Sequence, residues 1–190
     1  MTTPILLKQG AAEDFELRIT VSPYERTGAS SGSGDAVFGF KWHTHDRDAP
    51  SGRPAVAWIV DFAAPTGSSD FRGSGIRPGL RSVITWDLPH DLSLGLMPGV
   101  KYDSSDDGHR SASAIAGAVL NRHLSDSLRV FVEAAAEQIA HRRDGGVIAS
   151  WDVGAARLLG RDAQLGMRAG IAATRDAPSG YLLLELAQRF

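Results

Sequence analysis

Apolar and polar positions alternate along most of the chain. Within residues 128–137, the odd-numbered positions include Arg129, Phe131, Glu133 and Glu137, while the even-numbered positions carry leucine, valine and alanine. A period of two places successive side chains on opposite faces of a β-strand, whereas an amphipathic helix repeats near 3.6 residues. Similar alternation runs through residues 15–22, 80–88, 92–102 and 165–172. The pattern predicts about eleven strands, many of them about ten residues long.

The connections between the predicted strands alternate in length. One set is short and comprises residues 11–14, 52–54, 89–91, 125–127 and 160–162. The other set is longer, polar and rich in glycine, and comprises residues 26–35, 64–79, 104–110, 142–145 and 175–179. Short turns at one end and longer loops at the other are typical of up-and-down barrels of the outer membrane. We therefore expect an all-β, up-and-down antiparallel transmembrane β-barrel that forms a single domain over residues 1–190.

An internal repeat supports this interpretation. Asp91, Asp126 and Asp162 each lie in a short turn between leucines. Their spacing gives a period of about 36 residues, which is the length of two strands with one short turn and one loop. A repeat of this length also suits a helical pair, but the period of two within each segment excludes helices.

Composition removes several other classes of protein. The 190 residues include no cysteine, which excludes disulfides, thiolate metal sites and cysteine nucleophiles. Lys and Arg number 20 against 22 Asp and Glu, so we expect no nucleic-acid partner. The longest apolar runs, residues 55–60 and 181–184, have the length of strands and not of a membrane-spanning helix. No basic and apolar leader follows Met1, so we expect no secretory signal peptide within this chain.

The end of the chain points to the outer membrane. Residues 184–190 alternate and finish on Phe190, an arrangement that resembles the signal read by the outer-membrane assembly machinery. Aromatic residues favour the ends of predicted strands, as in the girdles that barrels place at bilayer interfaces. They are Tyr24, Trp42, Phe62, Trp86, Tyr102, Trp151 and Phe190. We expect outer-membrane lipid and the assembly machinery to be partners, and the bacterial outer membrane to be the location.

Nearly the whole chain resembles the MetA-pathway-of-phenol-degradation family. The resemblance is carried by residues 3–10 leading into 14–18, Gly34-Asp35 before 39–42, and residues 53–57, 64–67, 86–88, 93–95 and 124–131. It implies an outer-membrane transporter with a barrel of twelve strands, preceded by a signal peptide. Eleven strands would then leave the barrel short of its first strand at the N-terminus. Asp61 departs from this resemblance, which implies a basic residue at that position.

The polar faces of the strands are predicted to line the barrel interior. If Phe190 ends at the periplasm, the short turns are periplasmic and the long loops extracellular. The candidate lumen residues are Glu16, Arg18, Asp61, Arg81, Asp87, Lys101, Arg129, Glu133, Glu137, Asp152, Arg168, Glu185 and Arg189. They form either a charged channel lining that orients a solute, or a network of ion pairs that fills a narrow barrel.

The sequence gives weaker support to two other kinds of site, a metal site and a catalytic site. His43 and His45, with Asp46 and Asp48, have a spacing that can bind zinc, but no third fixed ligand is identifiable. We therefore expect no metal site and no cofactor.

Catalysis would require a nucleophile, a base and an acid on the barrel wall. His109, Ser111 and Ser113, with Asp106 or Asp107, are the only residues that approach this pattern, and the polar composition of a loop explains them more simply. We therefore expect no catalytic residues and no enzymatic activity.

The sequence thus predicts an outer-membrane channel that passes small organic compounds by passive diffusion through its lumen. The resemblance alone suggests small hydrophobic or aromatic solutes. The alternatives are an outer-membrane barrel enzyme resembling a lipid hydrolase, and a soluble β-barrel that binds a small ligand.

Overall fold

The computed structural model describes residues 1–46, 48, 52–104, 110–139, 146–175 and 180–190. Apart from one 3₁₀ turn at Ser69–Phe71, every regular element of the described chain is a β-strand. The strands are β1 (Ile5–Ala12), β2 (Phe15–Val21), β3 (Glu25–Thr27), β4 (Ser30–Gly32), β5 (Ala36–His45), β6 (Ala55–Ala64), β7 (Arg77–Leu88), β8 (Leu92–Leu96), β9 (Gly99–Ser104), β10 (Arg110–Ser125), β11 (Leu128–Ile139), β12 (Gly146–Leu158), β13 (Ala163–Ala172) and β14 (Gly180–Gln188). Among the described residues, no helix has the length and apolar character needed to span a membrane.

All strands except β3 and β4 form one antiparallel sheet, in which neighbours along the sequence are also neighbours in space. β8 and β9 occupy the same position, because both pair with β7 and β10. The register of β10 is unbroken across them, since Gly95 lies opposite Val119 and Gly99 opposite Ile115. Pro98 interrupts the ladder because it has no N–H to donate. The described sheet therefore has eleven positions, in agreement with the predicted number of strands.

The predicted loop 26–35 contains an element that the sequence did not predict. β3 and β4 form a short hairpin around Gly28, whose φ of 60° lies in the left-handed region favoured by glycine. Three-residue strands are too short for alternation to reveal them. The loop predicted at 64–79 is also shorter in the structure, because β7 begins at Arg77.

The two faces of the sheet differ in polarity, and the apolar face is the one that points outward. Trp151, Val153, Ile171 and Leu182 share this face and are each more than half exposed. The opposite face carries most of the charged side chains, and there Asp152 is only 2% exposed. A water-soluble sheet buries its apolar face, whereas a β-barrel in a bilayer turns that face to lipid.

The sheet ends at β1 on one side and at β14 on the other. These two edges run in the same direction, because successive positions of the eleven alternate in direction. One additional strand between them could form antiparallel hydrogen bonds with both edges, whereas β1 and β14 could pair directly only in parallel. The twelfth strand that the resemblance implies stays a prediction.

Candidate lumen surface

The predicted lumen residues that lie within strands share the polar face of the sheet. Glu16, Arg81 and Glu137 belong to one row of directly opposed residues that crosses the sheet from β2 to β11. Directly opposed residues point to the same side of a sheet. The same face carries Arg18, Asp61, Asp87, Lys101, Arg129, Glu133, Asp152, Arg168 and Glu185. Arg189 lies beyond β14, where it forms an ion pair of 3.3 Å with Asp162 at the short-turn end.

Two ion pairs of this face join strands that are not adjacent in the sheet. The Lys101 ammonium lies 2.9 Å from the Glu137 carboxylate, although β10 separates their strands. Ser113 lies directly opposite Lys101 on that intervening strand and is only 2% exposed. The pair therefore covers a small residue on the wall between its partners.

The second ion pair and a hydrogen bond also cross an intervening strand. Arg168 on β13 bonds Glu133 on β11 at 3.3 Å, across β12. The Tyr181 hydroxyl on β14 donates a hydrogen bond to Asp152 on β12, across Gly170 of β13. A Cβ at Gly170 would overlap both the Asp152 carboxylate and the Tyr181 ring. Glycine at this position is therefore required by the close approach of the two side chains.

The remaining pairs are local. Arg81 pairs with Asp61 on the adjacent strand, and Arg18 pairs with Glu16 two residues away at 3.0 Å. Asp61, the residue that departs from the family resemblance, therefore has a cationic partner. Such pairing reduces the cost of placing charges in a confined space.

Arg129 and Glu185 differ from these residues. Within the described part of the chain, neither has an ion-pair partner. The Arg129 guanidinium donates to the Asn121 side-chain oxygen at 3.1 Å and lies 6.0 Å from the centroid of the Phe131 ring. Both charged residues line a recess of about 330 Å³ near the short-turn end.

A group of hydrogen bonds around Asp35 holds the loop between β6 and β7, at the end of the sheet where the long loops lie. The Asp35 carboxylate accepts hydrogen bonds from the N–H groups of Gly67 at 2.7 Å and Gly73 at 2.9 Å, and from the Arg77 guanidinium at 2.8 Å. Arg77 also bonds Asp103 at 3.1 Å. Burial raises the pKa of Asp35, but the two backbone donors and Arg77 outweigh burial, so the pKa lies below its ordinary value.

The described residues give no support to the zinc-binding or catalytic interpretations. His43 lies 3.5 Å from Asp14 and 3.7 Å from Asp46. No cluster of three ligands able to hold a metal ion occurs among the residues the structure describes. Of the candidate catalytic residues, Asp106, Asp107 and His109 lie outside the described residues. The predicted loop 142–145 and most of 175–179 also lie outside them.

Sequence reasoning missed several residues of this surface. Tyr181 begins an apolar run, so nothing in the pattern distinguished it from its neighbours. Asn121 lies in a polar stretch at the end of β10, and Asp35 and Arg77 were assigned to loops. The parity of β10 and β14 could have placed Asn121 and Tyr181 on the inner face, but no sequence signal shows their partners.

Comparison with solved structures defines the class of fold. The chain superimposes on the crystal structure of an outer membrane channel from Pseudomonas putida F1 with a TM-score of 0.73, at 15% sequence identity, covering 96% of this chain and 79% of that chain. The likeness confirms the predicted fold class, an all-β, up-and-down antiparallel barrel. No curated protein matches the chain.

The family follows from the sequence profile. Residues 6–190 match the family described as "Putative MetA-pathway of phenol degradation". The chain belongs to this family, and the resemblance seen in the sequence is confirmed.

Proposed function

We propose that the chain forms a channel in the bacterial outer membrane through which small organic compounds diffuse passively. The main support for this proposal is that the charged and polar side chains of the polar face bond to neighbours along the wall. Lys101–Glu137, Arg168–Glu133 and Tyr181–Asp152 each join strands no more than two positions apart. Charges that pair along the wall leave the centre of the barrel open, whereas a plugged barrel pairs them across it.

A row of small residues supports an open interior. Gly117, Ala135, Ser150 and Ala172 lie directly opposite one another on the polar face of β10 to β13. Their side chains project little from the wall. In a barrel of about twelve strands, inward side chains decide how much of the interior stays free.

The comparisons support the proposed location and solute class. The structural neighbour is an outer membrane channel, and the family description refers to phenol degradation. Small hydrophobic or aromatic solutes are therefore the proposed cargo. Outer-membrane lipid would contact the apolar outer face, and the assembly machinery would recognise the strand that leads to Phe190. We assign no reaction to the chain.

Single-channel recording of the full-length protein in planar bilayers tests the proposal. Wild type is expected to conduct ions above the lipid background. Ala135→Trp is expected to lower the conductance by roughly twofold or more, because its indole enters a narrow lumen.

Ala134→Trp is the matched control. Ala134 lies directly opposite Trp151 on the outer face, so its indole would point away from the lumen and leave the conductance unchanged. A folded wild-type barrel that conducts no ions would overturn the proposal, as would equal effects of the two substitutions.

A further inference from the structure

The recess at the short-turn end contains two opposite charges without ion-pair partners among the described residues. Arg129 and Glu185 belong to one row of directly opposed residues, in which Arg129 faces Ala156, Ala156 faces Gly166, and Gly166 faces Glu185. Three strand spacings of about 4.8 Å place the two Cα atoms roughly 14 Å apart along the wall. The alanine and glycine between them present almost no side chain, so the space between the charges is open.

Neighbouring charges in the recess are already neutralised. Arg168 and Glu133 bond each other at 3.3 Å, so they contribute little net charge. Arg129 uses one guanidinium hydrogen bond on the neutral Asn121 amide. A guanidinium carries five donors and binds carboxylates in a bidentate manner, whereas a carboxylate only accepts. Arg129 therefore offers donors to an anionic group, and Glu185 offers acceptors to a donor group.

Apolar side chains adjoin the two charges. Phe131 and Leu183 line the recess, each two residues from a charged end on the same strand. They lie in the next row of the wall, on either side of Gly154 and Arg168. A solute held between Arg129 and Glu185 would therefore meet apolar surface beside each of the two charges.

We propose that this recess binds a small organic acid that carries a carboxylate at one end and a hydroxyl or ammonium donor at the other. The carboxylate would bind Arg129, the donor would bind Glu185, and an aromatic or aliphatic body would contact Phe131 and Leu183. The recess, at about 330 Å³, falls at the lower end of the range of small-molecule sites. The assignment rests on the proposed channel function, for which it supplies a solute class and a selectivity site.

Each simpler solute leaves one charge unsatisfied. A plain carboxylate would meet Arg129 but would place its far end near the Glu185 carboxylate without a donor. A neutral phenol would meet Glu185 but leave Arg129 without an anion. Specificity for the combined solute follows, because an unpaired polar partner in a confined site is costly.

Block of the single-channel current tests the site with three related probes. The solutes 4-hydroxybenzoate, benzoate and phenol are added in turn to the full-length wild-type channel in a planar bilayer. We expect 4-hydroxybenzoate to reach half-block at the lowest concentration. Equal half-blocking concentrations for 4-hydroxybenzoate and phenol would overturn the proposal.

Three substitutions separate the two ends of the site. Arg129→Gln should raise the half-blocking concentration of both acids at least about tenfold, since it removes a charge-assisted hydrogen bond, and should leave phenol unchanged. Glu185→Gln should remove the advantage of 4-hydroxybenzoate over benzoate. Arg157→Gln removes the same charge from the outer face, one residue beyond Ala156 on β12, and should change nothing.

The outcomes distinguish this inference from the channel proposal. If wild type conducts and Arg129→Gln leaves the block by both acids unchanged, the recess is not the binding site while the channel stands. If wild type conducts no ions, the channel proposal fails, and isothermal titration calorimetry of the detergent-solubilised protein reads binding directly. Calorimetry in which 4-hydroxybenzoate binds equally to wild type and Arg129→Gln would then overturn the site as well.

Discussion

At the scale of single residues, glycines on the inner wall decide which side chains can meet across a strand. The contact between Tyr181 and Asp152 passes directly over Gly170, where any Cβ would overlap both partners. We expect Gly170→Ala to lower the free energy of unfolding by about 1–3 kcal/mol, the usual cost of inserting a group into a filled site. Urea unfolding of the protein in lipid vesicles, followed by tryptophan fluorescence, measures the difference.

Gly10→Ala serves as the control for this effect. Gly10 also lies within a strand, β1, but a Cβ there meets nothing within 4 Å. Its substitution should leave stability unchanged or slightly raised, because alanine restricts the unfolded chain. Equal destabilisation by the two substitutions would show that strand glycines matter here through backbone freedom and not through contact over Gly170.

At the scale of elements, one buried carboxylate fixes the loop between β6 and β7. Asp35, whose side chain is only 6% exposed, accepts hydrogen bonds from Gly67 and Gly73 of that loop and from Arg77. Its folded-state pKa is depressed below the ordinary value of 3.8. A depressed carboxylate pKa stabilises the folded state above the unfolded pKa, and this contribution is lost as the pH falls through the folded pKa.

We therefore expect the loop contacts to persist from neutral pH down to about 4 and to weaken only below 3.8. Nuclear magnetic resonance of the Gly67 and Gly73 amide protons follows this change, because both lose their charged acceptor together. Asp35→Asn should produce the shifted amide resonances already at neutral pH. Asp70→Asn, on the same loop but with its carboxylate exposed, should leave them unchanged, and a shift there would contradict the assigned contact.

At the scale of the whole molecule, the opposite character of the two faces sets how the barrel inserts. Val132, on the apolar face of β11, is 41% exposed, while Ala135 lies on the polar face of the same strand. We expect Val132→Lys to lower folding stability in lipid by about 2–4 kcal/mol, since the ammonium would enter hydrocarbon.

Ala135→Lys provides the matched comparison. Its ammonium would enter the polar interior, so a much smaller change in stability is expected. Reversible unfolding in phospholipid vesicles measures both variants. Equal costs on the two faces would contradict the assignment of the apolar face to lipid.

The fold was predictable from the sequence because alternation of polar and apolar residues is enough to identify a strand and its two faces. The segment 128–137 displayed the polar and apolar faces of β11 directly, and the short turns at Asp91, Asp126 and Asp162 gave the direction of successive strands. The hairpin of β3 and β4 was missed because three residues carry too little periodicity. The start of β7 at Arg77 was missed because proline and glycine follow it in the sequence.

Sequence alone determined which residues share a face, since side-chain direction follows from a local period of two. Only the tertiary structure decided which of those residues meet, because the contacts join strands that are distant along the chain and depend on register and on the size of the residue between them. Asp152 meets Tyr181 because a glycine lies between them, and Lys101 meets Glu137 over a serine. Arg129 and Glu185 lie in the same row with only an alanine and a glycine between them, an arrangement that no local pattern encodes.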